Sequence, residues 1–154
     1  MSKIDLSYNK SLKLTNVLIY ELMLSEVSSE TDQIVLQMEN YIRAKGASPV
    51  GPMIQKSFYS FNEQGEIEIK LHLMRQANNF INHVEHPYRF ASTIRVTNCM
   101  YARFTGPGEK LKFAYDKINV VAFEENIDLS NENYTIFIEQ QDDSIVADVF
   151  VEKV

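Results

Sequence analysis

The chain has 154 residues, of which 45% are hydrophobic and 23% are charged, which is the size and composition of one globular domain rather than of a disordered or fibrous protein. Its formal net charge of −6 argues against a nucleic-acid partner, because nucleic-acid-binding proteins present a basic face. No apolar run reaches the ~18 residues of a membrane span, and Met1–Lys13 lacks the apolar core of a secretory signal, so we expect a cytoplasmic protein with no membrane partner.

A strand and a helix are predicted first along the chain. Leu14–Leu24 is rich in apolar and β-branched residues and predicts the strand, which leaves 1–13 as an N-terminal segment. Candidate N-caps for the helix are Ser28, Ser29 and Thr31. The apolar positions that follow have the spacing of one helix face and are Ile34, Val35, Met38, Tyr41 and Ile42. Gly46 then predicts the C-cap of this helix.

Two more strands joined by a turn complete the first half. The strands are predicted over Met53–Phe61 and Glu66–Leu73, with a turn at Asn62–Gly65. Apolar and polar residues alternate in the second of them, so that one face is predicted to meet the core. That face comprises Ile67, Ile69, Leu71 and Leu73. His72 lies on the other face, and we expect it at the surface or in a groove rather than as a metal ligand.

The second half repeats this order of elements. A strand is predicted over Ile94–Phe104, and Gly106, Pro107 and Gly108 end it. A helix face follows at Leu111, Tyr115, Ile118 and Ala122. The remaining segments are a polar loop at Asp128–Asn133, a strand at Tyr134–Glu139, a turn at Gln140–Asp143 and a last strand at Ser144–Glu152.

Corresponding elements of the two halves are separated by nearly constant offsets, as expected of a duplication. The sequence therefore predicts an α+β fold made of two β-α-β-β units, 14–73 and 94–152, joined by a linker at 74–93. These units would form a single domain, 14–154, with one antiparallel sheet and both helices on one face. The seam between the halves is then the natural place for a small-ligand groove.

The segment 83–86 and Cys99 contain side chains that could take part in chemistry. His83, Glu85 and His86 lie close in sequence, but a zinc site requires three or four ligands at a characteristic spacing, so a solvated linker is favoured. Cys99 is the only cysteine, which excludes an internal disulfide and fits a reducing compartment. Because no positioned base is recognisable beside it, a structural cysteine is favoured over a nucleophile. We expect neither a metal nor another cofactor.

The aromatic residues suggest a binding surface. If Ile136 and Ile138 face the helices, the intervening side chains line the open face of the sheet. The candidate ligand-binding residues are Tyr101, Arg103, Tyr115, Thr135 and Phe137, with Glu68 or Glu139 as the carboxylate. Such an aromatic wall with a carboxylate suits flat or cationic ligands. The alternative is that these aromatics fill the core and that Glu68 lies on a solvated face.

Two segments carry a resemblance to a known family. Tyr41–Ile54 (YIRAKGASPVGPMI) and Met100–Tyr115 (MYARFTGPGEKLKFAY) resemble the gyrase-inhibitor-like, or SOUL-like, small-molecule-binding domain. This domain also forms the effector-binding half of several bacterial multidrug-responsive regulators, and the resemblance covers Leu14–Val154. The chain is also similar to a group of stand-alone Gram-positive proteins of this size, some of them encoded beside secreted polymorphic-toxin operons.

The resemblance implies a duplicated fold with a ligand groove. In many members aromatic side chains and a buried glutamate bind hydrophobic cations, and the glutamate follows a tyrosine at the start of the strand after the second helix. The matching pair here is Tyr134 and Thr135, so the acid is absent, and Glu139 and Glu68 are the candidate replacements. Residues 1–13 are too few for a helix-turn-helix domain, so no DNA-binding activity is expected.

Three functions follow from these observations. The first is a small-molecule effector-binding domain without catalytic or DNA-binding activity, whose ligand is hydrophobic or aromatic. The second is a protein-interaction accessory module associated with a polymorphic-toxin operon, which predicts an exposed apolar patch. The third is a small-molecule hydrolase, which requires a carboxylate with an aromatic hydroxyl within hydrogen-bond reach.

Overall fold

The computed structural model describes residues 2–23 and 31–154 and has an α+β fold of six strands and two helices. The elements are β1 (Lys3–Met23), α1 (Thr31–Ala44), β2 (Pro49–Phe61), β3 (Ile67–Ala77), β4 (Tyr88–Gly106), α2 (Lys112–Glu124), β5 (Leu129–Gln140) and β6 (Ile145–Lys153). A single 3-10 turn at Gly108–Lys110 precedes α2. Within the described ranges, no helix is long and apolar enough to cross a membrane.

The order of strands and helices agrees with the sequence prediction, but several boundaries differ. β1 begins at Lys3, so the predicted N-terminal segment is mostly strand. β5 begins at Leu129, inside the segment predicted as a polar loop. β3 and β4 extend into the predicted linker from both sides, which shortens it to 78–87. The candidate N-caps Ser28 and Ser29 lie outside the described residues.

The chain divides into two compact units. The first unit is Lys13–Arg95, and the second is Met1–Leu12 together with Val96–Val154. Since β1 and β4 cross these boundaries, each of them contributes residues to both units.

In the first unit, α1 packs against β1 and β3. Met38 and Ile42 of the helix are fully buried, as the helical spacing predicts. Leu22 pairs with Leu71 and Tyr20 with Leu73 across the β1–β3 ladder, and directly opposite residues share a face of the sheet. This helix-facing side carries the core of the unit. Gly46 ends α1 with a positive φ of 86°, which confirms the predicted cap.

The predicted core face of β3 is only half correct. Leu71 and Leu73 are buried, but Ile67 is 64% exposed and Ile69 is 42% exposed. These two isoleucines lie near the end of the β2–β3 hairpin, where they pair with Phe61 and Tyr59. The core cluster includes Leu71 and Leu73 but no residue of β3 before Leu71. Ile67 and Ile69 therefore remain exposed, although they lie on the same face of the strand.

In the second unit, α2 packs against β4 and β6, and the three elements share one hydrophobic core. Ala114, Ile118 and Ala122 of the helix are buried. Along the β4–β6 ladder, Ala102 pairs with Val149, and both belong to the core cluster of this unit. The remaining buried members of that cluster are Met100, Phe104 and Val151. Cys99 is also fully buried, and burial raises the pKa of its thiol, which disfavours the nucleophilic thiolate.

Candidate functional site

The first unit contains a pocket of about 620 Å³. Its lining residues are Tyr20, Glu21, His86, Pro87, Tyr88 and Arg89. Tyr20 and Glu21 are consecutive on β1, while Tyr88 and Arg89 begin β4. Since consecutive strand residues point to opposite faces, Tyr20 and Tyr88 lie on one face of the two strands, and Glu21 and Arg89 lie on the other.

Four polar side chains meet at the charged side of this pocket. Glu21 lies directly opposite His72 across the β1–β3 ladder, and Glu21 Oε2 is 2.9 Å from His72 Nε2. Arg89 donates from Nη2 to the same Oε2, also at 2.9 Å. Lys70 Nζ lies 3.6 Å from the other carboxylate oxygen, Oε1. One carboxylate is therefore surrounded by two permanent cations and one imidazole.

His72, which the sequence predicted at the surface or in a groove, is buried and contacts two residues that line the pocket, Glu21 and Arg89. It is 8% exposed as a residue, and its ring meets the Phe58 ring edge-on at a centroid distance of 5.0 Å. Burial lowers the pKa of His72, an effect partly offset by Glu21. The hydrogen bond from His72, assisted by Lys70 and Arg89, lowers the pKa of Glu21. At neutral pH the arrangement therefore contains an ionised Glu21 and a neutral His72.

Aromatic rings form the other side of the pocket. The Tyr88 ring centroid lies 6.0 Å from that of Tyr20 and 4.6 Å from that of Tyr41 on α1. Burial raises the pKa of Tyr88, so its hydroxyl stays protonated over the physiological range. The pocket thus pairs flat apolar walls with charged groups, which are the ingredients of small-molecule sites in general.

Hydrogen bonds connect the segment 83–86, which contains the pocket residue His86, to the end of α1. Lys45 Nζ donates to the His83 carbonyl at 3.2 Å and to Glu85 Oε1 at 2.6 Å. The Glu85 amide donates to the Tyr41 hydroxyl oxygen at 3.1 Å. Among the described residues, no group of three or more His, Cys, Asp or Glu side chains is arranged to hold a metal ion.

A second polar cluster lies on the face of the second unit opposite α2. Asp148 Oδ1 accepts hydrogen bonds from Tyr101 Oη at 2.8 Å and Arg103 Nε at 2.8 Å. Asp148 Oδ2 accepts one from Arg103 Nη2 at 2.9 Å. Burial and the bond to Asp148 raise the pKa of Tyr101 to about 12. The Phe150 ring packs 5.0 Å from the Tyr101 ring.

The Asp148 cluster bears on the hydrolase hypothesis. Tyr101 and Asp148 satisfy the required distance between an aromatic hydroxyl and a carboxylate. However, Arg103 donates to both carboxylate oxygens in a bidentate pair, so both oxygens of Asp148 are already engaged in hydrogen bonds. This geometry favours a structural or binding role over proton transfer.

The strand parity assumed for the candidate ligand-binding residues is reversed in β5. Thr135 and Phe137 pair with Val149 and Ala147 of β6, so they share the buried face that packs under α2. Accordingly, the Tyr115 hydroxyl of α2 hydrogen-bonds to Thr135 Oγ1. Tyr134 pairs with Phe150, and Ile136 pairs with Asp148.

The candidate residues are consequently not gathered on one surface. Tyr101 and Arg103 lie opposite the helix, whereas Tyr115, Thr135 and Phe137 lie beneath it. Glu139 follows a register irregularity in β5 and is exposed. Glu68 pairs with Ser60 near the end of the β2–β3 hairpin. Within the described parts of the chain, neither glutamate joins the Glu21 or the Asp148 cluster.

Sequence reasoning missed Glu21, Arg89 and Asp148. Asp148 carries the clearest signal, because it is a single charged residue inside the apolar run of β6, IVADVFV. A charge at such a position requires a partner, and Arg103 occupies the directly opposed position on β4. Glu21 and Arg89 are distant in sequence, and no local pattern joins them.

No family model and no curated protein matches the chain. Among solved structures, it is similar to the EcmrR C-terminal domain, with 20% identity and a TM-score of 0.72 over 100% of this chain and 99% of that one. It is also similar to EcmrR in a DNA complex determined by cryo-electron microscopy, with 18% identity and a TM-score of 0.69 over 99% of this chain. The present chain spans 58% of that EcmrR chain.

A hydrolase from Listeria innocua is a more distant structural match. Its identity is 9% and its TM-score 0.53, over 99% of this chain and 92% of the hydrolase. At these identities the matches show the fold, which is that of the EcmrR C-terminal domain and is consistent with the gyrase-inhibitor-like fold suggested by the sequence.

Proposed function

We propose that this protein is a small-molecule-binding domain of the effector-binding type and that its ligand occupies the pocket of the first unit. The observation that carries the proposal is the pocket itself, with Tyr20 and Tyr88 on one side and Glu21 and Arg89 on the other. Its volume of about 620 Å³ lies within the ~300–1,000 Å³ of typical ligand sites. The likeness to the EcmrR C-terminal domain over the full chain supports the same function.

The chemistry of the pocket agrees with the kind of ligand expected from the sequence, although different residues supply it. The sequence predicts an aromatic wall at Tyr101, Tyr115 and Phe137, with Glu68 or Glu139 as the carboxylate. Tyr88 and Glu21 provide the same combination in the first unit. Tyr101 and Arg103, with Asp148 and Phe150, remain a second proposed contact surface, which the same experiment examines.

A thermal-shift screen against hydrophobic cations, neutral aromatics and aromatic acids tests the proposal. A ligand at 100 times its dissociation constant stabilises the fold by about 2.7 kcal/mol, which corresponds to a rise in Tm of roughly 5–10 °C for a domain of this size. Tyr88→Leu and Tyr20→Leu should each abolish the shift, measured against the variant's own Tm. Tyr8→Leu is the matched control, because Tyr8 belongs to the second unit and is 40% exposed.

Variants of the pocket and of the Asp148 cluster distinguish the proposed site from the alternatives. If a ligand raises the Tm of the Tyr88 and Tyr20 variants as much as that of the wild type, the pocket is not the binding site. If Tyr101→Phe or Arg103→Gln removes the shift instead, the ligand binds the Asp148 cluster. If no compound of the three classes produces a shift, the small-molecule proposal is wrong.

A protein-interaction module is the second candidate function, and one observation favours it. Four large apolar side chains at the end of the β2–β3 hairpin are at least 42% exposed. They are Tyr59, Phe61, Ile67 and Ile69. An exposed apolar group of this kind is typical of an interaction surface. Phe61→Ser combined with Ile67→Ser should abolish any association that sedimentation or a pull-down detects, and unchanged association would contradict this function.

A further inference from the structure

We propose that the pocket of the first unit selects a flat aromatic acid and that Arg89 binds its carboxylate. This inference rests on the proposed small-molecule function and specifies the chemical class of the ligand. It differs from what the family resemblance implies, since that resemblance points to hydrophobic cations.

Arg89 lines the pocket and has hydrogen-bonding capacity beyond its contacts to Glu21 and His72. Its side chain is 61% exposed, and its contacts to Glu21 and His72 both involve Nη2. Within the described parts of the chain, Nε and Nη1 form no hydrogen bond. The guanidinium group is a rigid planar fork that matches a carboxylate with two parallel N–H donors. Arg89 can therefore bind a carboxylate while keeping its contact to Glu21.

The balance of charge favours an anion. Among the residues that the structure describes, Glu21 is the one carboxylate that lines the pocket, and it already has Arg89, Lys70 and His72 around it. With His72 neutral, the cluster contains two positive charges and one negative charge. A cationic ligand would have to displace one of these groups from Glu21, whereas an anion compensates the positive charge already present.

The aromatic walls account for the rest of the ligand. Tyr20 and Tyr88 line the pocket, and Pro87 adds an apolar residue to the lining. Offset stacking on such rings is favourable for flat molecules. The charged group of a bound aromatic acid would then point towards Arg89, at the opposite side from Tyr41 and the helix.

Three naphthalene derivatives that share a ring system test this inference: 2-naphthoate, 2-naphthamide and 2-naphthylmethylamine. Isothermal titration calorimetry should give an affinity for the acid at least about tenfold higher than for the amide, the effect expected of a charge-assisted hydrogen-bonded pair. The amine should bind more weakly than either. Raising the salt concentration should weaken binding of the acid, since the pair is partly exposed to solvent.

Arg89→Gln should remove the preference for 2-naphthoate, and Arg89→Lys should retain only part of it because lysine lacks the planar fork. The matched control is Arg95→Gln, which removes an exposed arginine of the same strand that does not line the pocket. Because Arg89 is exposed, both glutamine variants should fold, which circular dichroism and the apo Tm verify.

The outcomes separate the ligand class from the function. Tighter binding of the amine than of the acid, abolished by Tyr88→Leu, would overturn the anion inference and leave the small-molecule function intact. Binding of 2-naphthoate that is unchanged in Arg89→Gln would also overturn it. If none of the three compounds binds at millimolar concentration, the inference is wrong, and the wider thermal-shift screen decides the function separately.

Discussion

Glu21 Oε2 lies 2.9 Å from His72 Nε2, and the two residues occupy directly opposed positions on β1 and β3. In the neutral ring, Nε2 must carry the proton to donate to this carboxylate. Arg89 Nη2, which is 3.0 Å from the same nitrogen, then bonds to Glu21 rather than to His72. The pair couples a buried imidazole to the charged wall of the candidate pocket.

Stability should fall on mild acidification because of His72. Its pKa in the fold is lowered below the unfolded value of 6.5, mainly by burial, so the unfolded chain binds the proton first. The free energy of unfolding is therefore highest above pH 6.5 and decreases as the pH falls towards the lowered pKa. The lowered pKa of Glu21 acts in the same direction, below its unfolded value of 4.5. Urea denaturation at a series of pH values measures the slope.

Two asparagine variants assign this slope. His72→Asn should flatten the dependence between neutral pH and pH 5, whereas His83→Asn, at an exposed position with a positive φ that asparagine tolerates, should keep it. An equal slope in wild type and His72→Asn would show that another group is responsible.

The Asp148 cluster should contribute to the stability of the second unit. Asp148→Asn replaces a carboxylate that is 7% exposed and accepts three hydrogen bonds. We expect a loss of about 1–3 kcal/mol in chemical denaturation. The pKa of Tyr101 should also fall from about 12 part of the way to its usual value, because burial, the largest cause, remains.

A tyrosinate titration checks this shift in Tyr101. The chain has eight tyrosines, so the Tyr101 signal is the difference between each protein and its Tyr101→Phe derivative. Arg103→Gln is the informative comparison, since it removes two of the three hydrogen bonds and retains the carboxylate. A Tyr101 pKa that is the same with aspartate and asparagine at position 148 would show that the carboxylate does not affect the hydroxyl.

Local patterns predicted the order of the secondary structure, because helical spacing and turn residues are short-range signals. The faces of α1 and α2 were correct for this reason, as Met38 and Ile118 show. The length of β1 could not be predicted from hydrophobicity, since most of Lys3–Leu12 is exposed, including four consecutive residues at 8–11. Its strand conformation depends on neighbours distant in sequence.

The candidate site was harder to predict, because period-two alternation defines two faces without saying which one meets the helix. The sequence analysis assumed that Ile136 faces a helix, which placed Thr135 on the open face of the sheet. In the structure Thr135 faces the helix instead, where it hydrogen-bonds to Tyr115 of α2. Glu21 and Arg89 are brought together by strand pairing across 68 positions. A pairing of that separation is fixed by the tertiary fold and leaves no trace in either local segment.

The end of α1 should tolerate only glycine well. Gly46 has a φ of 86°, and a Cβ added there would meet nothing within 4 Å. Gly46→Ala should therefore destabilise the protein by about 1–2 kcal/mol, entirely through backbone conformation. Gly108→Ala is the matched control, because Gly108 is not in the positive-φ region and its added Cβ would make ordinary contacts 3.9 Å from Ile145. Equal losses in both variants would contradict this account.

The contributions of Arg75 and Glu39 to the stability of the first unit should be coupled, because the two side chains form an ion pair. Arg75 is 8% exposed, its Nη2 lies 3.1 Å from Glu39 Oε2, and its Nη1 donates to the Gly51 carbonyl. Within the described residues, its Nε has no hydrogen-bond partner, so the desolvation of this guanidinium is incompletely compensated. Removing Glu39 leaves a buried charge, and Glu39→Met should cost about 3 kcal/mol.

Replacing both partners should restore part of that loss. Arg75→Met combined with Glu39→Met removes the buried charge together with its counterion, so the double variant should be more stable than Glu39→Met. A double-mutant cycle from urea denaturation measures the coupling. Additive losses would show that the two side chains stabilise the fold independently, in which case Arg75 would act mainly through the Gly51 carbonyl at the irregular start of β2.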